Sequence, residues 1–145
     1  MNYAADRAAK VGWDDPVAAF ASTAETLWWI GVVHEQVREN YPEAYEKALT
    51  FETPSIETLL GGLRYARNRI THAVDEVRYL EAQALSPDGF NASWTWKSVP
   101  PRTDGKHPDG HADYETIVAG HLVQFTLVRA LTFLRSAAYR AQHPA

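Results

Sequence analysis

The sequence predicts an all-α fold: a small up-and-down bundle of three long helices plus a short one, which forms a dimer. Apolar residues recur at intervals of three and four over most of the chain, as they do on one face of a helix. Two of these stretches follow pairs that commonly begin helices, Asp15-Pro16 and Thr53-Pro54. A chain of 145 residues can bury one core but not two, so we expect residues 1–145 to form a single domain.

The composition excludes several classes of protein. A net charge of −4, with 46% hydrophobic and 22% charged residues, is typical of a globular chain and argues against a strongly basic nucleic-acid binder. A local basic patch on such a chain could still bind RNA. With 0 cysteines, disulfides, thiolate zinc sites and cysteine nucleophiles are excluded. The N-terminal residues do not resemble a signal peptide, and the longest apolar run, LWWIGVV, is too short for a membrane span, so we expect a cytoplasmic protein with no membrane segment.

The first half of the chain predicts three helical segments. The first helix starts at the Asp15-Pro16 cap and runs to about Asn40, with its core stripe at Val17, Phe20, Ala24, Leu27, Gly31 and Val37. Pro42 then opens a short helical piece, PEAYEKALTF. The next helix is predicted from about Pro54 to Ala84, where turn residues follow, and its core stripe is Ile56, Leu59, Leu60, Leu63, Ile70, Val74 and Val77.

The second half predicts a long loop and a last helix. Residues 86–112 are rich in proline and glycine, which indicates a loop with a short hairpin whose Trp94 and Trp96 cover one end of the core. Residues 113–139 predict one helix that is apolar over more than half its circumference. Such a helix must be covered on both sides, and three long helices in one chain favour a second copy as the cover. We therefore expect a homodimer.

The long central helix has an unusual second face. With Arg67 at zero on a helical wheel, the apolar stripe centres near about −40°, whereas His72 lies near about 140°. Solvent faces usually carry Lys, Glu and Ala, but this face carries Gly61, Tyr65, Asn68, His72, Asp75 and Tyr79. The pair Gly61-Gly62 costs roughly 1 kcal/mol per glycine in a helix, which a close approach of another helix would justify. Arg64, Arg67 and Thr71 fill the sector between the two faces.

The run Arg67-Asn68-Arg69-Ile70-Thr71-His72, in a long helix of a small all-α domain, resembles the HEPN superfamily. Active members of that family are metal-independent endoribonucleases marked by Arg, four to six residues, and then His, often with a polar residue after the Arg. In that family two protomers pack so that their motifs converge. The resemblance implies a composite site made from Arg67, Asn68 and His72 of both chains, with no metal and no cofactor. It also implies a toxin, phage-defence or RNA-processing role, for which an antitoxin or regulatory protein would be a further partner.

These residue types suit RNA cleavage without a metal. The 2′-hydroxyl must lose a proton, and His72 is the candidate general base or acid because imidazole titrates near neutral pH. Arg67 can hold the phosphate through two hydrogen bonds and stabilise the charge that develops on it, while Asn68 orients His72 or the phosphate. The candidate substrate-binding residues beside them are Arg64, Thr71, Tyr65 and Tyr79.

Several alternatives stay open. A noncatalytic domain could bind a nucleotide, RNA or protein through the face of Tyr65, His72 and Tyr79. In a purely structural protein, Arg67 would instead pair with Asp75 or with a carboxylate on another helix. Val74 stands where HEPN toxins with a nucleotidyltransferase partner commonly have Tyr, which counts against that branch.

Three other groups of residues receive structural interpretations. The segment KHPDGHADYE, with His107, Asp109, His111 and Asp113, is interpreted as a polar loop leading into a helix rather than as a metal site. His121 is expected in the core or at an interface, near Ile117, Val128 and Leu131. His34 is expected close to the core stripe of the first helix, and the alternative is that His34 and Glu35 reach the site from that helix.

Overall fold

The computed structural model describes residues 15–72, 79–84, 92–101 and 108–143, of which residues 71, 72, 83, 84, 92 and 108 are described by their backbone alone. In this part of the chain five helices surround one core, and one two-stranded sheet is attached to them. The predicted all-α class is confirmed at this level. The elements in chain order are α1 (Pro16–Asn40), α2 (Pro42–Leu49), α3 (Ser55–His72), β1 (Leu80–Ala84), β2 (Ala92–Trp96), α4 (Pro108–Ile117) and α5 (Val123–Gln142).

Helix α1 begins and ends where the sequence predicts. Asp15 Oδ1 accepts a hydrogen bond from the Ala18 amide at 2.8 Å, and Pro16 occupies the first turn, where no amide donor is needed. The prediction was wrong for Val17, which is 69% exposed. The buried side of α1 begins at Ala19 and consists of Ala19, Ser22, Thr23, Thr26, Leu27, Ile30 and Val37.

Helix α3 is shorter than predicted. Its expected core residues Ile56, Leu59, Leu60, Leu63 and Ile70 are all buried, but the helix ends at His72. Val74 and Val77 lie outside the described residues. Residues 80–84, predicted as the last turns of this helix, form β1 instead. They pair antiparallel with β2 in the register Leu80↔Trp96 to Ala84↔Ala92, so a partner distant in sequence overrides the local helical pattern.

Strand β2 attaches the sheet to the helices through Trp96. The Trp96 side chain is 1% exposed, and its Nε1 donates a hydrogen bond to Thr126 Oγ1 of α5 at 2.8 Å. Its ring also meets Tyr114 of α4 edge to face, with the centroids 6.3 Å apart. Trp94 is partly buried against the same core. The prediction that the two tryptophans cover the core is confirmed, although the strand that pairs with them was not foreseen.

The predicted last helix is in fact two helices joined by a turn. Gly120, with φ of 77°, adopts the left-handed backbone conformation that glycine tolerates best, and its amide donates to the Trp96 carbonyl oxygen at 2.8 Å. A helical wheel drawn over residues 113–139 treats α4 and α5 as one helix. Because the two helices bury different faces, that wheel shows apolar residues nearly all round. His121 lies in the turn and is exposed, so the prediction that it lies in the core was wrong, and its place at an interface stays a prediction.

Helix α4 starts at Pro108, inside the segment predicted to be a loop, and packs closely against α3. A Cβ atom at Gly62 would lie 2.8 Å from Val118 Cγ2 and 3.0 Å from Tyr114 Cα, which is too close for an ordinary contact. The close helix approach predicted from Gly61-Gly62 is therefore present. The helix that makes it belongs to the same chain, so the second face of α3 is covered here without a second protomer.

No described helix is long and apolar enough to cross a membrane.

Candidate functional site

The side chain of Arg67 extends from α3 across the surface of α1. A Cβ atom at Gly31 would overlap Arg67 Nη1, so the guanidinium occupies the space that a side chain at Gly31 would need. One turn further along α1, Glu35 Oε1 accepts a hydrogen bond from Arg67 Nη2 at 3.3 Å. The Arg67 side chain is 20% exposed and that of Glu35 is 55% exposed. Arg67 thus has a carboxylate partner on another helix of its own chain and still reaches solvent.

An open groove of about 480 Å³ lies beside this ion pair, between α1 and α3. Arg38 and Arg64 line it from the two helices, and Arg67 lies at its edge, where it pairs with Glu35. All three arginines act on the charge of His34. Counted together with Arg67, the arginines exceed Glu35 and Glu39 by one positive charge. Guanidinium groups present parallel N–H donors that match phosphate oxygens, so such a groove suits an anionic ligand. The full lining is His34, Glu35, Arg38, Glu39 and Arg64.

His34 is partly buried at the inner wall of this groove. Its Nε2 is hydrogen-bonded to the Tyr45 hydroxyl at 3.0 Å, and the two rings stack with centroids 5.6 Å apart. Burial is the largest cause that lowers the pKa of His34 to about 4, and Arg38 and Arg64 lower it further, while Glu35 opposes them. The imidazole is therefore neutral at pH 7. It offers the groove a hydrogen-bonding group rather than a positive charge.

The structure places the two ends of the motif on different sides of α3. Arg67 reaches α1, whereas the side of α3 that carries Gly61 and Tyr65 packs on α4. Helical geometry puts residue 72 about 140° around the helix from residue 67, on the α4 side. His72 is the last residue of α3. The backbone of a single chain therefore does not bring positions 67 and 72 to one face.

The predicted substrate-binding residues divide into two groups. Arg64 is exposed and lines the groove, and Asn68, which was predicted as a catalytic residue, is partly exposed. Tyr65 and Tyr79 are only 3% and 4% exposed, so they belong to the core and leave little surface for a substrate. The Tyr65 ring lies 5.5 Å from that of His111 and the Tyr79 hydroxyl accepts from Arg69 Nε at 2.6 Å. Thr71 is described by its backbone alone.

Two titratable residues of α4, His111 and Asp113, belong to the segment that the sequence analysis interpreted as a polar loop leading into a helix. His111 Nε2 lies 2.8 Å from the Val99 carbonyl oxygen, so it donates a hydrogen bond to that oxygen. Asp113 lies over Gly61, where burial and then Asp109 raise the pKa of its carboxyl group. Among the residues that the structure describes, no cluster of His, Asp and Glu could hold a metal ion. His107 lies outside them.

Of the groove's lining on α1, the sequence did not single out Arg38 and Glu39, whereas it indicated His34 and Glu35 as residues that could reach the site from this helix. His34 and Arg38 are four residues apart, and their spacing on one side of α1 is a signal that could have been read. Gly31, one turn before Glu35, would have been the second signal, since a glycine in a helix interior often marks a close approach. No pattern in the sequence indicates that Arg67 approaches Gly31 and Glu35.

A second concavity of about 590 Å³ lies where the corner between α1 and α2 meets the end of α5. Lys47 and Arg140 are among its lining residues, but the Arg140 guanidinium already lies 4.4 Å from the centroid of the Phe51 ring. None of the motif residues lines this cavity. The groove between α1 and α3 is the stronger candidate for a functional site, because Arg64 lines it and Glu35 in its lining pairs with Arg67.

Comparisons of the chain with protein-family models, with curated proteins and with solved structures found no match. The resemblance to the HEPN superfamily therefore rests on the motif at residues 67–72 and on the helical pattern of the sequence alone.

Proposed function

We propose that the protein binds RNA through its phosphates in the groove between α1 and α3 and cleaves it as a metal-independent, HEPN-type endoribonuclease. The observation that carries this proposal is the presence of Arg38 and Arg64 in one open groove, with Arg67 at its edge through the ion pair with Glu35. Glu35 and Glu39 offset two of the three positive charges, and the remaining one favours an anionic ligand. A phosphodiester is an anion of the right size and geometry.

In the proposed reaction His72 removes the proton from the 2′-hydroxyl, and the 2′-oxygen attacks the adjacent phosphorus. The bond from phosphorus to the 5′-oxygen breaks, that oxygen takes up a proton, and a 2′,3′-cyclic phosphate remains. Arg67 stabilises the extra negative charge on the phosphate, and Asn68 holds the phosphate or the imidazole in position. No metal or cofactor takes part in any of these steps.

A homodimer is part of the proposal because one chain separates positions 67 and 72 around α3. A second protomer could bring its own His72 to the edge of the groove, where Arg67 lies, which gives a composite site. Large apolar side chains that are exposed in the single chain, such as Val17, Tyr41 and Tyr139, supply surface that a second protomer could cover. A toxin, phage-defence or RNA-processing role in the cytoplasm is consistent with such an enzyme, and an antitoxin or regulatory protein would then control it.

The direct test is a cleavage assay on mixed single-stranded and structured RNA in EDTA, with wild type, Arg67→Ala and His72→Ala. We expect wild type to leave 2′,3′-cyclic phosphate ends and both variants to lose at least about 100-fold in rate. Arg135→Ala is the matched control because Arg135 is exposed on α5, away from the groove. Equal cutting by all four folded proteins, or no cutting by wild type, would contradict the proposal.

The second candidate is a noncatalytic domain that binds RNA or a nucleotide in the same groove. The ion pair between Arg67 and Glu35 favours it, because a guanidinium that is already paired within its chain need not take part in chemistry. This candidate predicts salt-sensitive RNA binding that Arg67→Ala weakens, with no cleavage at any protein concentration. Measuring binding and cleavage on the same RNA separates the two functions.

A further inference from the structure

Trp28 is a large aromatic side chain exposed next to the place where Arg67 crosses α1. It lies one turn before Gly31, and its side chain is 50% exposed. The neighbouring Trp29 is 37% exposed, and the two rings meet edge to face with centroids 4.8 Å apart at 78°. This contact restricts the indole of Trp28 to few orientations. A half-exposed indole held in this way presents a fixed apolar surface to solvent.

The position of Trp28 relative to Arg67 follows from the geometry of α1. Arg67 Nη1 occupies the place of a Cβ atom at Gly31. Residues three apart on a helix have Cβ atoms about 5–6 Å apart, so the guanidinium lies at about that distance from the Cβ of Trp28. Glu35, which pairs with Arg67, is seven residues from Trp28 and therefore lies on the same side of the helix. The indole and the guanidinium are neighbours on one surface.

A nucleotide carries the two groups that such a surface can bind, a phosphate and a flat aromatic base. Arginine binds the phosphate, and an exposed indole stacks on a base without regard to its identity. Bases in a duplex are already stacked on their neighbours, so a platform of this kind selects unpaired nucleotides.

We propose that Trp28 is a stacking platform for an unpaired base of the RNA strand whose phosphate Arg67 binds. The inference rests on the RNA binding of the proposed function, and it adds that the substrate is single-stranded at this point. It does not depend on cleavage. Trp28 is a binding residue in this proposal and takes no part in proton transfer.

The test compares two labelled ligands of equal length, an oligoadenylate and an abasic ribose-phosphate oligomer, by fluorescence anisotropy. All proteins carry His72→Ala so that binding is measured without turnover. We expect Trp28→Ala to weaken binding of the oligoadenylate by roughly 5- to 150-fold, the range for loss of one base stacked on an aromatic ring. Binding of the abasic oligomer should not change. Trp28→Phe should retain most of the affinity, whereas Arg67→Gln should weaken binding of both ligands.

Phe125→Ala is the matched control, because Phe125 is another exposed aromatic residue, 61% exposed on α5. The inference is overturned if Trp28→Ala binds oligoadenylate as tightly as its parent, or if it weakens both ligands equally. It is also overturned if Trp28→Ala lowers the mass found by sedimentation, since Trp28 would then be a contact between protomers.

A parallel cleavage assay with the native His72 separates this inference from the proposed function. If wild type cuts RNA and Trp28→Ala binds and cuts equally well, the platform is wrong and the ribonuclease stands. If RNA binding depends on Trp28 but the protein does not cleave RNA, the stacking platform is supported, the ribonuclease is refuted, and the noncatalytic binding function is favoured. If the protein binds neither oligomer, both proposals fail.

Discussion

Arg67 is held by two features of α1, the absence of a side chain at Gly31 and the carboxylate of Glu35. The carboxylate and an RNA phosphate would compete for the same guanidinium donors. Because Glu35 is 55% exposed, its ion pair with Arg67 contributes at most about 1 kcal/mol to stability. Its effect on RNA binding should be larger than its effect on folding.

We therefore expect Glu35→Gln to bind single-stranded RNA about 3- to 10-fold more tightly than wild type, with little change in stability. Glu39→Gln is the matched control, since it removes one negative charge from the same groove without touching the pair. Affinities at two salt concentrations would measure the difference. If the two variants gain equally, only the net charge of the groove matters and competition for Arg67 is refuted.

His34 provides a prediction for the dependence of stability on pH. Its pKa is lowered to about 4 in the folded protein from the ordinary 6.5. Between these values the unfolded chain binds a proton that the folded chain does not, so stability is fully present above pH 6.5 and falls as the pH drops towards 4. Because the ring is partly exposed, solvent screening limits this loss to on the order of 1–2 kcal/mol.

His34→Gln should make that loss of stability smaller. The measurement is the free energy of unfolding in urea at several pH values between 7 and 4. His121→Gln, at an exposed histidine in the turn before α5, should follow wild type. An unchanged pH dependence in His34→Gln would show that the imidazole is not buried in the way described.

At the scale of elements, the contact between α3 and α4 depends on two adjacent glycines that meet different kinds of atom. A Cβ at Gly62 would press on Val118 and on the backbone of Tyr114, which cannot move without displacing α4. A Cβ at Gly61 would meet only the end of the flexible Asp113 side chain. The two positions therefore separate steric closeness from helix propensity.

Gly62→Ala should destabilise the protein by up to about 2 kcal/mol, because an overpacking cost of about 1–3 kcal/mol exceeds the gain of roughly 1 kcal/mol in helix propensity. Gly61→Ala should be much milder, since the carboxylate can rotate away. Urea unfolding of both variants beside wild type tests this. Equal stabilities of the two variants would mean that α4 does not approach α3 as closely as the structure has it.

At the scale of the whole molecule, the central question is how Arg67 and His72 could act on one phosphate. One chain directs Arg67 towards α1 and carries position 72 on the α4 side of α3. In the proposed dimer each site would take Arg67 from one protomer and His72 from the other. Mixing inactive variants tests whether each site takes these two residues from different protomers.

Arg67→Ala and His72→Ala proteins, each inactive alone, should recover roughly one quarter of wild-type activity when unfolded and refolded together, because half the dimers are mixed and one of their two sites is intact. Wild type mixed with the Arg67→Ala/His72→Ala double variant should lose activity beyond simple dilution. Cleavage rates and the mass from sedimentation would be measured on the same samples. No recovery in mixed dimers would refute a site that takes one residue from each chain.

The sequence by itself determined those features that depend on neighbours along the chain. The cap at Asp15-Pro16, the extent of α1, the core stripe from Ile56 to Ile70 and the close approach at Gly61-Gly62 all follow from local spacing and backbone preferences. The candidate motif was also visible, because the spacing of Arg67, Asn68 and His72 is a local property.

Only the tertiary structure decided which residues meet across the chain. Pairing with β2 made residues 80–84 a strand, and hydrogen bonds to the end of β2 divided the predicted last helix at Gly120. The approach of Arg67 to Gly31 and Glu35 likewise joins residues more than thirty positions apart. Periodicity specifies which face of a helix is apolar, but the partner of that face depends on how all the elements pack together, and no local pattern contains that information.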